Sequence, residues 1–190
     1  MRKLGFASCG VLAAVLGAAS SVRGGPVPLA TVHPLRLPSA LVSSVFHIEK
    51  SENKNQVHYA VRVDERCRPA GKAPVYAYWR DFEDGPKAVS PLLQHEQPAY
   101  GLTEPRSIEL NESGGEVRIG MRGFPDRALR IVTFSQVGAC RARAFTPIQG
   151  QPAVLTAIYV ELGFLFSVDH VLVRGVRVSD GRQVKEKVDD

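Results

Sequence analysis

A chain of 190 residues with 24 Lys and Arg against 19 Asp and Glu is long enough for one sizeable core. Its formal charge of +5 is concentrated early: Arg2, Lys3 and Arg23 precede residue 25 with no acid beside them, so the remaining 166 residues carry only +2. That balance gives no case for nucleic-acid binding, and beyond the first residues no run of about 20 apolar residues exists to span a membrane as a helix.

In chain order, Arg2 and Lys3 lead into the apolar run Leu4 to Ala19 and the small residues Ala18 to Ser21. This is the pattern of a secretory signal peptide, expected over residues 1–24. Its removal leaves two of the three cysteines, Cys67 and Cys140. In an exported protein, periplasmic or extracellular, an even pair of this kind is expected as a disulfide. Pro26, Pro28, Pro34 and Pro38 make residues 25–43 an extended lead-in, because proline fixes φ and removes donors.

The densest strand signal follows. Phe46 and Ile48 alternate at even positions, and Val57, Tyr59, Val61 and Val63 at odd ones, which predicts strands over about 44–50 and 56–64. Ser51 to Asn55 supplies the turn between them. Aligning both apolar rows on one face leaves two registers, with His58 opposite either His47 or Glu49. In both, His47, Glu49, His58 and Arg62 collect on the face away from the core.

Residues 74–80 read as a third strand, with Val75, Ala77 and Trp79 on one face and Tyr76 and Tyr78 on the other. Asp84-Gly85-Pro86 is a turn, and Pro91 to Glu96 suits one helical turn. Strands follow at about 106–111, 116–121, 128–137, 139–145, 154–162 and 168–178, the last bulged near Gly175. In the 154–162 strand, Val154, Thr156, Ile158, Val160 and Leu162 are expected inward. The β domain thus runs over 44–184, with a charged tail at 185–190. No window supports a long helix. Roughly nine short strands with frequent turns predict an all-β chain: a single antiparallel β-sandwich or barrel.

No Gly-x-Ser-x-Gly elbow, His-Glu-x-x-His pair or phosphate-cradling glycine loop is present, so no catalytic residue and no cofactor are expected. Glu49, Lys50, Asn53, Asn55, Tyr78, Trp79 and Tyr100 are the expected ligand-binding set. Amphipathic rings with a few adaptable polar groups are how exported domains hold sugars, lipids or peptides. Taken singly, Trp79 also reads as core and the two asparagines as turn caps. His47, Glu49 and His58 could ligate a divalent metal, although a charged outer sheet face reads the same way. Two alternatives stand beside the binding module: a glycan hydrolase using a carboxylate pair such as Glu49 and Glu96, and a structural envelope protein docking through a sheet edge. Expected partners are a small molecule, a glycan or an envelope protein. The run of arginines at 118, 122, 127, 130, 141 and 143 could meet anionic headgroups or acidic polymer, or serve as a solvated face.

Phe46-x-Ile48-x-Lys50-Ser51-x-Asn53-x-Asn55-x-x-x-Tyr59, Pro74-Val75-x-x-Tyr78-Trp79, Ala99-Tyr100-Gly101 and the closing Leu155, Ile158, Tyr159 and Val160 resemble an uncharacterised, mostly bacterial family of exported domains of unknown function. The resemblance covers roughly residues 45–184. It implies an exported β domain and no activity, substrate or cofactor. Cys67 and Cys140 are not among the residues that carry it.

Overall fold

The alternation seen in the sequence closes into a sheet of eleven strands in the computed structural model, which describes residues 42–82, 88–164 and 167–189. The expected leader, most of the lead-in and the Asp84-Gly85-Pro86 turn lie outside the described residues. The strands are β1 (Val42–Lys50), β2 (Asn53–Arg62), β3 (Val75–Asp81), β4 (Ala88–Pro91), β5 (Ser107–Asn111), β6 (Gly114–Met121), β7 (Phe124–Gln136), β8 (Ala139–Ile148), β9 (Gln151–Leu162), β10 (Val168–Arg177) and β11 (Gln183–Asp189). A 3-10 turn at Gln94–Glu96 and the short helix α1 (Gln97–Tyr100) extend the helical turn expected at 91–96.

The strand β9 organises the rest. One of its edges carries β10, which in turn carries β11. The other edge is divided. Its first half, from Gln151 to Leu155, pairs with β8, and its second half, from Ala157 to Val160, pairs with β1. Two arms therefore leave the same edge: β8-β7-β6-β5 and β1-β2-β3-β4. Their facing sides bury one apolar cluster, including Phe46, Val57, Tyr59 and Val61 from one arm and Val117, Ile119, Leu129 and Ile131 from the other. Each such aliphatic or aromatic side chain contributes about 1.5–3 kcal/mol of burial. The β1–β9 pair is parallel, which departs from the expected all-antiparallel arrangement.

The first hairpin takes one of the two anticipated registers. His47 lies opposite His58 and Phe46 opposite Tyr59, with the Phe46 and Tyr59 rings stacked 4.4 Å apart. The turn itself is only Ser51-Glu52, because Asn53 already pairs with Lys50. At Val137-Gly138 and Gln149-Gly150 both central residues have positive φ, from 50° to 71°. That is the two-residue turn whose twist matches a hairpin.

Three expectations are corrected. First, β9 is not inward at 154 and 156. Leu155 lies opposite Gly175 and Ala157 opposite Arg174, so Thr156 is an extra residue. This bulge switches the phase: Ala153 and Leu155 are buried before it, while Val154 is only half-buried and Thr156 is exposed. After it Ile158 is buried and Val160 packs against the core, whereas Leu162 is half-buried. Second, residues 185–189 of the charged tail pair with β10 along its length. Val184 and Val188 reach the core, and Glu186 Oε1 accepts from Arg127 Nη2 at 2.8 Å. Third, β4 and β11 raise the strand count above the nine expected.

Cys67 and Cys140 are joined by a disulfide that closes a 73-residue separation. It ties the segment after β2 to the start of β8, and so fastens one arm to the other. For a loop of this length the chain-entropy account gives about 4 kcal/mol.

Candidate functional site

Lys50, Asn53, Asn55 and Trp79 sit where the apolar rows of β1, β2 and β3 run out. Position 50 continues the inward row of Phe46 and Ile48, positions 53 and 55 continue that of Val57 and Tyr59, and Trp79 follows Val75 and Ala77. Polar side chains thus take over an inward face at its end, and there they line a cleft of about 370 Å³. Asp81, Ser90, Pro91, Leu93 and Glu96 complete it.

The cleft is held by specific bonds. Trp79 Nε1 donates to Glu96 Oε2 at 2.8 Å, and the Leu93 backbone N–H donates to the same oxygen at 2.7 Å. These bonds fix the 3-10 turn against β3. The Tyr100 ring meets the indole edge-on at 5.5 Å, and Lys50 Nζ lies 5.3 Å from the indole centroid. Lys50 also pairs with Glu52 at 3.2 Å. Burial, then the carboxylates of Glu96 and Glu52, hold the Tyr100 phenol above its ordinary range. Asn53 Oδ1 accepts the Asn55 backbone N–H at 3.0 Å, and Asn55 Oδ1 accepts that of Phe82 at 2.9 Å. Each asparagine therefore caps backbone with its oxygen, which fixes the direction of its amide NH2.

Of the seven expected ligand-binding residues, four line this cleft. Tyr100 supports it from behind by packing on Trp79. Glu49 points to the opposite side of the sheet, where Lys50 and Asn53 also border a cleft of about 410 Å³ with Gln56, Phe82 and Tyr159. Glu49 and Glu96 therefore lie on opposite sides of the sheet and cannot flank one bond. Tyr78 also faces away from the cleft, buried in a row of rings with His58 and Tyr76.

His47 and His58 share this outer side, their rings 5.2 Å apart. His47 Nε2 lies 2.9 Å from Glu49 Oε1, while His58 Nε2 lies 2.9 Å from Gln56 Oε1. Each of these Nε2 atoms therefore already has a hydrogen-bond partner. Among the described residues no three His, Cys, Asp or Glu side chains form a group able to hold a metal ion. Burial, then His47 and Arg80, bring the His58 pKa down to about 4.

Sequence reasoning missed Glu96, Ser90 and Leu93 as cleft residues. The signal available was the helical turn at Pro91 to Glu96, but only the fold shows that it returns onto β3. It also missed a larger cleft, about 550 Å³, between β3 and the segment from Gln97 to Pro105. Its floor is aliphatic (Val75, Leu92, Leu102, Ile119), and Lys72, Glu104 and Arg122 stand at the rim. Those residues come from segments far apart in sequence and form no motif.

Residues 46–187 match the family described as a domain of unknown function (DUF4833). No curated protein and no solved structure matches the chain.

Proposed function

The chain belongs to the DUF4833 family of domains of unknown function, and from that premise we propose that it is an exported, non-catalytic module that binds a small polar ligand, a sugar unit, in the cleft beside Trp79. One observation carries the proposal. Three separate segments converge there on a single indole, with a cation, two amides and two carboxylates around it. An aromatic face edged by directional polar groups is the usual way to hold a ring that is apolar on one side and hydroxylated at its rim. Glu96 supports binding over acid–base chemistry, because its Oε2 is already committed to two donors as a fixed acceptor. Export is supported by the Cys67–Cys140 disulfide. Among the described residues no helix is long and apolar enough to cross a membrane.

The test uses a feature of the composition. Trp79 is the only tryptophan in the chain, so its emission reports on the cleft alone. Titration with soluble neutral and N-acetylated oligosaccharides should give a saturable change in emission. Lys50→Ala and Leu93→Ala, both at the cleft wall and outside the buried core, should each weaken binding by roughly fivefold or more. Emission unchanged across the panel, or affinity unchanged in both variants, would overturn the reading.

A further inference from the structure

The outer face of the β8-β7-β6-β5 arm has a different chemistry. Arg118 on β6 lies directly opposite Arg130 on β7, which lies opposite Phe145 on β8. In the next rows Val132 is opposite Arg143 and Phe134 opposite Arg141. Like charges directly opposite one another on neighbouring strands are destabilising. Here one carboxylate moderates the clash: Glu116 Oε1 accepts from Arg118 Nε at 2.9 Å and Oε2 accepts from Arg130 Nη1 at 3.1 Å.

The exposures show which way this cluster faces. The Glu116 side chain is 17% exposed, whereas those of Arg118 and Arg130 are 56% and 48% exposed. The acid lies beneath and the guanidinium groups lie above it. Each arginine gives one N–H to Glu116 and keeps the rest of its donor fork. The Arg130 guanidinium also rests 4.9 Å from the Phe145 ring centroid. Together with Arg106, these two arginines line a groove of about 480 Å³. Its other wall is apolar: Phe145, Pro147, Pro152 and Val178, the last 54% exposed.

We propose that this groove is a second binding site, taking an oxyanion carried on an apolar body, with the oxyanion between Arg106, Arg118 and Arg130 and the body along Phe145, Pro147, Pro152 and Val178. Arginines lining a groove can recognise phosphate or carboxylate by charge-assisted, bidentate bonds, and three line this one. A groove of this volume exceeds what a bare phosphate needs, and its second half offers no donor side chain other than Thr146. The site is independent of the Trp79 cleft, which the other arm builds.

The experiment measures binding of octyl phosphate, inorganic phosphate and octyl glucoside to the whole chain by titration calorimetry. Octyl phosphate is expected to bind about tenfold or more tighter than either of the others, because only it satisfies both halves. The double variant Arg118→Gln with Arg130→Gln should lose most of that binding. Val178→Asp, an exposed change away from Glu116, should weaken octyl phosphate and leave inorganic phosphate unaffected. Vesicles of phosphatidylglycerol then separate the sources: binding to them identifies a lipid headgroup, and binding of octyl phosphate alone identifies a soluble anion. Equal affinity for octyl phosphate and octyl glucoside, equal affinity for octyl phosphate and inorganic phosphate, or unchanged binding by both variants would overturn the proposal.

Discussion

His58 is an ionisable side chain in a setting that refuses charge. It is 8% exposed, between His47 and Tyr78, with Arg80 nearby, Gln56 at one ring nitrogen and Ser44 3.5 Å from the other. Burial and then the two basic neighbours lower its pKa from 6.5 to about 4. Below pH 6.5 the unfolded chain takes up a proton that the folded site excludes. The contribution is therefore fully present above pH 6.5 and is lost as pH falls from there toward 4. With allowance for solvent screening at this outer face, the loss is roughly 2 kcal/mol. Urea unfolding of wild type and His58→Gln at pH 7.5 and pH 4.5 measures it. The wild type should lose more stability between the two than the variant, which retains a partner for Gln56 and cannot titrate. Equal losses would show that His58 is protonated as readily in the fold as in the unfolded chain.

The bulge of β9 opposite Gly175 is the element on which the inward rows depend. A Cβ at Gly175 would stand 2.4 Å from the Val154 carbonyl oxygen and 2.6 Å from Ile148 Cδ1. Backbone on one side cannot yield, so Gly175→Ala should part β9 from β10 locally and cost about 1–3 kcal/mol. A urea midpoint equal to that of wild type would show that the strands relax freely. The glycine and its irregular pairing were readable in the sequence, but its partner was not. Period 2 locates a strand, yet one extra residue at Thr156 inverts the face of everything before it, and no local pattern marks that residue. The cleft was legible in the same partial way. Closeness in sequence groups Lys50, Asn53, Asn55 and Trp79, but it also takes in Glu49 and Tyr78, which face away from the cleft. Glu96 and Leu93 could not, because their place depends on how the 3-10 turn docks. The strand β11 was hidden by its lysines and acids, which suit an edge but read as a tail. The resemblance in the hairpin and the Tyr-Trp strand pointed to the family that the whole domain matches.

At the scale of the molecule, the branch at β9 sets where the fold is strong. This strand is paired along both edges and joins two arms that share one core. Opening it breaks both arms at once, whereas among the described residues β4, β5 and β11 each pair along one edge only. Hydrogen exchange should therefore find the slowest amides between Ala153 and Val160, at the rate of global unfolding, and much faster exchange in the three outer strands. The disulfide adds a second connection, remote from β9, between the segment after β2 and the start of β8. Its reduction restores freedom to the unfolded chain and releases that link between the two arms. The expected consequences are a fall in Tm of roughly 8–16 °C, from about 4 kcal/mol of loop entropy in a chain of this size, and faster exchange confined to residues 64–70 and 137–142. Exchange along β9 should remain the slowest in the reduced protein, because its pairing does not pass through the sulfur bridge. If reduction instead accelerated β9 as much as the bridged loops, the two arms would be held together by the bridge, and not by the strand they share.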